Sequence, residues 1–236
     1  MNHYAPSIFF IFLLLLSACS QSSDAFLKKG KDLMHEGKTK EAIEYINKAI
    51  EKNTSNAEAF NLRGVAYYEL KEYPNALLDF NQSIKLEPNS YRPYFNRALL
   101  YTSENHLDSA LSDYDQAAKL APDTSDVFLN RGQLHVLMEK IPAAVTDFEK
   151  ATKLNENSKQ AWYNLGNTYY RQKDYKKATL AFRQTIKLDS QYGKAFYGLG
   201  LAQWYDGEKD LGCGNFKQAA SLGYSDAGTA LSQFCQ

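Results

Sequence analysis

The residue types that most often carry chemistry are few in this chain and poorly spaced for it. Its four histidines, His3, His35, His106 and His135, lie far apart, and no two stand at i and i+4. A paired-histidine metal site on a helix needs that spacing. No G-x-S-x-G elbow presents a serine nucleophile, and no glycine-rich loop is built to cradle phosphate. The carboxylates are spread along the chain rather than paired. The expectation is therefore no catalytic residue, no metal, no cofactor and no enzyme. The charge balance, 27 basic against 27 acidic residues, leaves no basic excess, so no nucleic-acid partner is expected either. Thiol chemistry remains. Cys213 and Cys235 form a pair near the C-terminus, open to a disulfide in an oxidising compartment. Two buried free thiols, or a reactive Cys213 between Gly212 and Gly214, are the alternatives. The last lacks an activating base, since the nearest histidine in sequence is His135.

What would position any binding residue is a period. Gly30, Gly64, Ala98, Gly132, Gly166 and Gly200 stand at steps of 34. So do Ala42, Ala76, Ala110, Ala144 and Ala178, with Gly212 in the sixth place, and Ile46, Phe80, Tyr114, Phe148, Phe182 and Phe216. A fixed period of this length predicts stacked helical hairpins. In residues 159–192, Trp162, Gly166 and Tyr169 share one helix face at i, i+4 and i+7, and Ala178, Phe182 and Thr185 repeat the spacing on a second helix. A small residue at the helix crossing lets two backbones approach, and the aromatic column fills the space beside it. Pro88 and Pro122 close two units, and Pro74 and Pro142 fall where second helices begin. Each hairpin has two apolar faces, so neighbours must stack. Beyond Asp226, Ala227, Ala230, Leu231 and Phe234 form one apolar face against Thr229, Ser232, Gln233 and Gln236, the pattern of a capping helix. A charge pair travels with the repeat. Arg63, Arg97 and Arg131 are each followed sixteen residues later by Asp79, Asp113 and Asp147, while later units carry Leu165 with Ala181 and Leu199 with Asn215. Joint presence and joint loss predict an Arg–Asp bridge inside the second, third and fourth hairpins. His135 stands in a tyrosine column and is expected in the core.

Trp162-x₂-Leu165-Gly166-x₂-Tyr169 followed by Ala178-x₃-Phe182 resembles the tetratricopeptide repeat (TPR) pattern. The fold class expected is all-α: an α-solenoid of six hairpins over residues 23–226, bounded as 23–56, 57–90, 91–124, 125–158, 159–192 and 193–226. A capping helix follows at 227–236. The resemblance implies that first helices line a concave groove for a protein or peptide segment of mixed polarity. The groove residues it implies are Asn61, Phe95, Asn96, Leu129, Asn130, Gln133, Tyr163, Asn164, Asn167, Tyr170 and Arg171, extended by Tyr68, Tyr197 and Trp204. Asn96, Asn130 and Asn164 form one column. They either pair with a ligand's backbone or are only consensus residues of the repeat. Lys28, Lys31, Arg92, Arg171 and Lys194 are scattered among Asp24, Glu58 and Asp126, which does not suit the carboxylate clamp of the family's chaperone-tail binders.

The N-terminus carries an address. Ile8 to Leu16 is an apolar run too short to span a bilayer, as in the h-region of a signal peptide. Leu16-Ser17-Ala18-Cys19 resembles the lipobox of bacterial lipoproteins, although Met1 to Ser7 contains no Lys or Arg. The resemblance implies a signal peptide at 1–18, a lipidated Cys19 and a short tether at 19–22. Ser20, which is not Asp, then points to the outer membrane, facing the periplasm. An ordinary secretory signal with an unrelated cysteine is the alternative. Ser23 is expected to cap the first helix. The chain is thus expected to be a lipid-anchored scaffold or adaptor in outer-membrane, pilus or cell-wall machinery, with a membrane-proximal partner. A permanent structural subunit and a glycan binder are the rivals.

Overall fold

The computed structural model describes residues 22–235; Cys19 and the signal segment 1–18 lie outside the described residues. Among these residues every regular element is a helix. α1 (Ser23–His35) pairs with α2 (Thr39–Lys52), α3 (Ala57–Glu69) with α4 (Tyr73–Leu86), and α5 (Tyr91–Ser103) with α6 (Leu107–Leu120). α7 (Ser125–Leu137) pairs with α8 (Ile141–Leu154), α9 (Lys159–Arg171) with α10 (Tyr175–Leu188), and α11 (Gly193–Tyr205) with α12 (Lys209–Ser221). The cap, α13 (Asp226–Phe234), starts one residue earlier than the apolar pattern suggests and leaves Cys235 just past its end. Each second helix packs on the first helix of the next hairpin. First helices also touch one another across hairpins, α1 with α3, α3 with α5, α7 with α9 and α9 with α11, while no pair of second helices packs comparably. An array whose first helices converge is curved with those helices inside.

The glycine column is where the hairpins close. A methyl group built on Gly64 would sit 2.6 Å from the Phe80 ring; on Gly132, 2.7 Å from Phe148; on Gly166, 2.8 Å from Phe182; on Gly200, 2.6 Å from Phe216. All four rings are essentially sealed from solvent. The third unit departs in a matched way, with buried Ala98 in the glycine place and Tyr114 in the phenylalanine place. The turn after each first helix is a second column. Gly37, Lys71, Asn105, Glu139, Lys173 and Gly207 all adopt positive φ, between 59° and 93°. The next amide returns to a carbonyl five residues back, as Glu72 N to Tyr67 O (2.8 Å) and Lys140 N to His135 O (2.8 Å). That bond satisfies carbonyls the helix end would leave open. The helix starts show one difference from expectation. The cap of α1 is Ser22, whose hydroxyl accepts from Ala25 N at 3.2 Å. Ser23 is the first helical residue because its hydroxyl is used elsewhere, donating to Ala49 O of α2 at 2.8 Å.

The expected charge pairs are formed. Arg63 grips Asp79 with two bonds of 2.7 and 2.8 Å, Arg97 grips Asp113 with two of 2.7 Å, and Arg131 grips Asp147 at 2.9 and 2.6 Å. Each arginine also reaches back to the preceding hairpin: Arg63 to Asn47 (2.7 Å), Arg97 to Asn81, and Arg131 to Asp115 (2.8 Å). The aspartates keep only 4–8% of their side-chain exposure. Removing one partner would strand a buried charge, which costs about 3–5 kcal/mol. In the fifth unit Leu165 and Ala181 are buried in one apolar cluster instead. The preceding acid, Glu149, then accepts from the Tyr169 hydroxyl. At the C-terminal end Cys213 and Cys235 are joined by a disulfide, and Phe234 of the cap stacks on Phe216, centroids 5.8 Å apart.

His135 occupies the place that holds Tyr67 and Tyr101 in the units before it, with its side chain 12% exposed. Its Nε2 stands 3.6 Å from Asp147 Oδ2, and its Nδ1 is buried without a partner among the described residues. Burial is the main cause that pushes its pKa below the ordinary value of about 6.5, with Asp147 opposing and Arg131 assisting. The unfolded chain therefore takes up this proton first as pH falls. The associated stability is intact above about pH 6.5 and is lost as pH drops through the folded value. Thermal melts from pH 7 to about 5 are expected to fall less steeply for His135→Tyr than for the wild type; parallel curves would contradict this.

The crossing geometry makes a second prediction. Gly132→Ala forces its methyl into Phe148 and is expected to cost about 1–3 kcal/mol in urea unfolding. Gly214→Ala, which meets nothing within 4 Å, is expected to leave stability unchanged or slightly raised.

Candidate binding groove

Two hollows adjoin on the inner face formed by first helices. The larger, about 470 Å³, is lined by Tyr68 of α3, Leu99 and Thr102 of α5, Asn130, Gln133, Val136 and Leu137 of α7, and Tyr114 from below. The smaller, about 190 Å³, is lined by Gln133 and Val136 of α7, Asn164, Asn167, Thr168 and Arg171 of α9, and Phe148 from below. Gln133 and Val136 form the shared wall. The floor of both is the aromatic column of the helix crossings, so the rings that close the hairpins also support the groove. In the sixth unit the asparagine place is taken by Gly198, where a methyl group would meet the Phe182 ring at 2.6 Å.

The asparagine column is not a uniform ladder. The Asn96 amide donates to Asn61 Oδ1 at 2.9 Å, and the Asn130 amide to the Asp126 carbonyl at 2.8 Å. Asn164 accepts from Gln160 Nε2 at 2.9 Å, but its own Nδ2 is buried with no partner among the described residues. That nitrogen has almost no accessible surface, so it would meet an outside acceptor only if the side chain turned. Arg171 ends α9, is exposed, and has no carboxylate partner among the described residues.

The remaining groove candidates separate by place. Asn61 lies nearer the N-terminus in a third hollow with Glu58, Glu87 and Arg92. Phe95 packs edge-on against Tyr114 at 5.8 Å, and Leu129 is partly buried between the central clusters. Tyr163 lies 6.0 Å from Phe182 and 5.2 Å from Tyr192. Tyr170 packs with Tyr175 and Tyr205 at 5.7 and 6.0 Å; burial first, then these neighbours, push its phenol up to about 12. Tyr197 packs with Tyr224 at 4.9 Å. Trp204 faces the cap, 5.2 Å from Phe234 with Lys209 over its ring, and lines neither central hollow. Sequence reasoning passed over Leu99, Thr102, Val136 and Leu137. The signal for Thr102 and Val136 was present, because both share the column of Tyr68, Tyr170 and Trp204.

Family models for the tetratricopeptide repeat match residues 23–54, 57–90, 91–124 and 160–192, and a further TPR repeat model matches 136–173. Together they cover more than half of the chain. It belongs to the tetratricopeptide repeat family. Among solved structures, this TPR chain is similar to pilF of Pseudomonas aeruginosa, with 21% identity, TM-score 0.75, and coverage of 85% of this chain and 91% of that one. It is also similar to YrrB, described as a TPR protein with an unusual peptide-binding site, with 20% identity, TM-score 0.72, and coverage of 79% and 97%. At these identities the likeness shows the fold. Among curated proteins, a UDP-N-acetylglucosamine–peptide N-acetylglucosaminyltransferase of Giardia intestinalis is 35% identical over 65 residues. The match spans 28% of this chain and only 4% of that enzyme, and its activity does not carry across.

The stranded donor of Asn164 makes a prediction. Asn164→Leu removes an unsatisfied buried group and is expected to raise stability by about 1 kcal/mol. Asn96→Leu breaks the bond to Asn61 and is expected to lower it by about 0.5–1.5 kcal/mol. Paired thermal melts check the opposite signs.

Proposed function

We propose that this chain is a non-catalytic TPR adaptor that holds a segment of another protein along its inner face, centred on α7 and α9. The single observation that carries this reading is the pair of adjoining hollows on the first-helix face, which share Gln133 and Val136 and leave Leu137 and Arg171 exposed beside them. The described peptide-binding character of YrrB, on the same fold, agrees with this reading. Tightness would come from many modest contacts over several first helices rather than from one deep pocket.

The anchoring half of the proposal rests on sequence. The apolar run ending in Leu16-Ser17-Ala18-Cys19 supports lipid attachment at Cys19. Ser20 supports delivery to the outer membrane, with the array facing the periplasm. No helix among the described residues is long and apolar enough to cross a membrane, so the acyl chains would supply the attachment. Ser22 already caps α1, so the tether is only a few residues and the array would lie close to the bilayer. The partner would then be membrane-embedded or membrane-proximal. The Cys213–Cys235 disulfide is consistent with an oxidising compartment.

Crosslinking and capture from detergent-solubilised membranes tests both halves. Wild type is compared with Gln133→Ala/Asn167→Ala/Arg171→Ala, whose unchanged helicity is verified by circular dichroism. The expected result is a protein captured by wild type and lost with the variant. The same capture with both would move the site to the outer face or the cap. Recovery of the wild-type chain only in the soluble fraction would remove the anchor.

A further inference from the structure

The Cys213–Cys235 disulfide lies at the C-terminal end of the array and lines neither central hollow. We propose that it is an exchange site for an anionic thiol, which attacks Cys235, expels Cys213 and so unties the cap.

The bond borders an open hollow of about 500 Å³, shared with Trp204 and Phe234. Both cysteines are half-buried rather than sealed. Gly214 lines the same hollow, and a methyl group built on it would meet nothing within 4 Å, so the chain beside the sulfur leaves room for an approaching thiol. The charged groups in the lining are Lys209, Asp210 and Lys217. Lys209 and Lys217 stand four residues before and four after Cys213 on α12, which puts all three in one row along the helix. Both lysines are exposed, and Lys209 lies over the Trp204 ring at 5.1 Å. Two cations against one carboxylate give the hollow a positive field that draws a negatively charged thiol.

The two sulfurs are not equivalent. Cys213 lies just past the first turn of α12, between the two lysines, where a thiolate gains from positive charge. Cys235 ends α13, where the helix carbonyls disfavour a thiolate. In exchange, the sulfur that leaves faster is the one whose thiolate is better stabilised. The incoming thiolate therefore bonds to Cys235 Sγ, the Cys213–Cys235 bond breaks, and its electron pair goes to Cys213 Sγ. A second thiolate of a dithiol reductant then attacks the reductant sulfur of the mixed disulfide and expels Cys235. Both cysteines take protons from solvent, and the reductant ends as a disulfide, having given up two electrons.

What the bond controls is the cap. α13 has only nine residues, too few to persist as an isolated helix. Buried Ala227 and Ala230 seat it, with Phe234 against Phe216 and Trp204. The disulfide ties this segment back to α12 across a separation of 22 residues. Once it is cut, the cap opens more often and uncovers Phe216 and Trp204 at the end of the array.

Reduction of the folded chain is followed at low salt with 2-mercaptoethanesulfonate and with neutral 2-mercaptoethanol, each rate corrected for thiolate fraction. The sulfonate is expected to react roughly threefold or more faster. Lys217→Glu, at an exposed position and with a melting curve matched to wild type, is expected to abolish or reverse that preference. Peptide mapping of early acid-quenched samples is expected to place the first adduct on Cys235. After full reduction by dithiothreitol, amide exchange in residues 226–235 is expected to rise about tenfold or more, with α9 unchanged. Reduction no faster than global unfolding in urea-jump experiments would overturn the proposal. So would equal rates with the two thiols, a first adduct on Cys213, or unchanged exchange in the reduced cap.

Discussion

Everything in this array depends on how closely two backbones can pass at the helix crossing. Four glycines face phenylalanine rings at distances that admit no methyl group, and each ring is enclosed as a result. The same rings are the floor of the inner face. Phe148 lies beneath the hollow of Asn164, and Tyr114 beneath that of Asn130. A change at a crossing would therefore reach the groove through one layer of atoms. The third unit shows that the constraint is on the pair and not on either residue. Ala98 stands where the other units past the first have glycine, and Tyr114 where they have phenylalanine, with both buried.

The array is reinforced differently along its length. Units two to four are laced by arginines that bind an aspartate of their own hairpin and a polar residue of the one before. Such buried pairs give register and orientation rather than large net stability, since desolvation offsets much of their attraction. From unit five onward that lacing gives way to apolar packing of Leu165, Ala181 and Leu199 with the surrounding aromatics, and finally to the disulfide of the cap. The smaller hollow lies at this change of style, between α7 and α9. There the last arginine rung ends, and Arg171 stands free of any carboxylate among the described residues.

Much of the fold was legible because a repeat writes each contact several times. The glycine, alanine and aromatic columns located both helices of every hairpin, and the joint loss of Arg and Asp in unit five implied that the two touch. Other features left weaker traces. The left-handed turn column holds glycine in only two of six places, the rest being Lys71, Asn105, Glu139 and Lys173, so composition did not mark it. The cap of α1 was misplaced by one residue because two serines compete there, and only the reach of Ser23 to Ala49 decides between them. For the groove, sequence identified the face but not the division of labour. Asn96, Asn130 and Asn164 read alike in a column. Neighbours that the period does not fix, Asn61 for one and the Asp126 carbonyl for another, decide which amide is left unpaired.

The central claim is that the inner face between α7 and α9, and not the outer face, meets the partner. A photo-activatable amino acid placed singly at position 133, on the shared wall of the hollows, or at position 180, on outer helix α10, tests it most directly. Leu180 is 65% exposed, so access is not limiting there. Irradiation of cells that make the protein is predicted to yield a discrete adduct with another protein from position 133 and none from position 180. An adduct from position 180 alone would contradict the account.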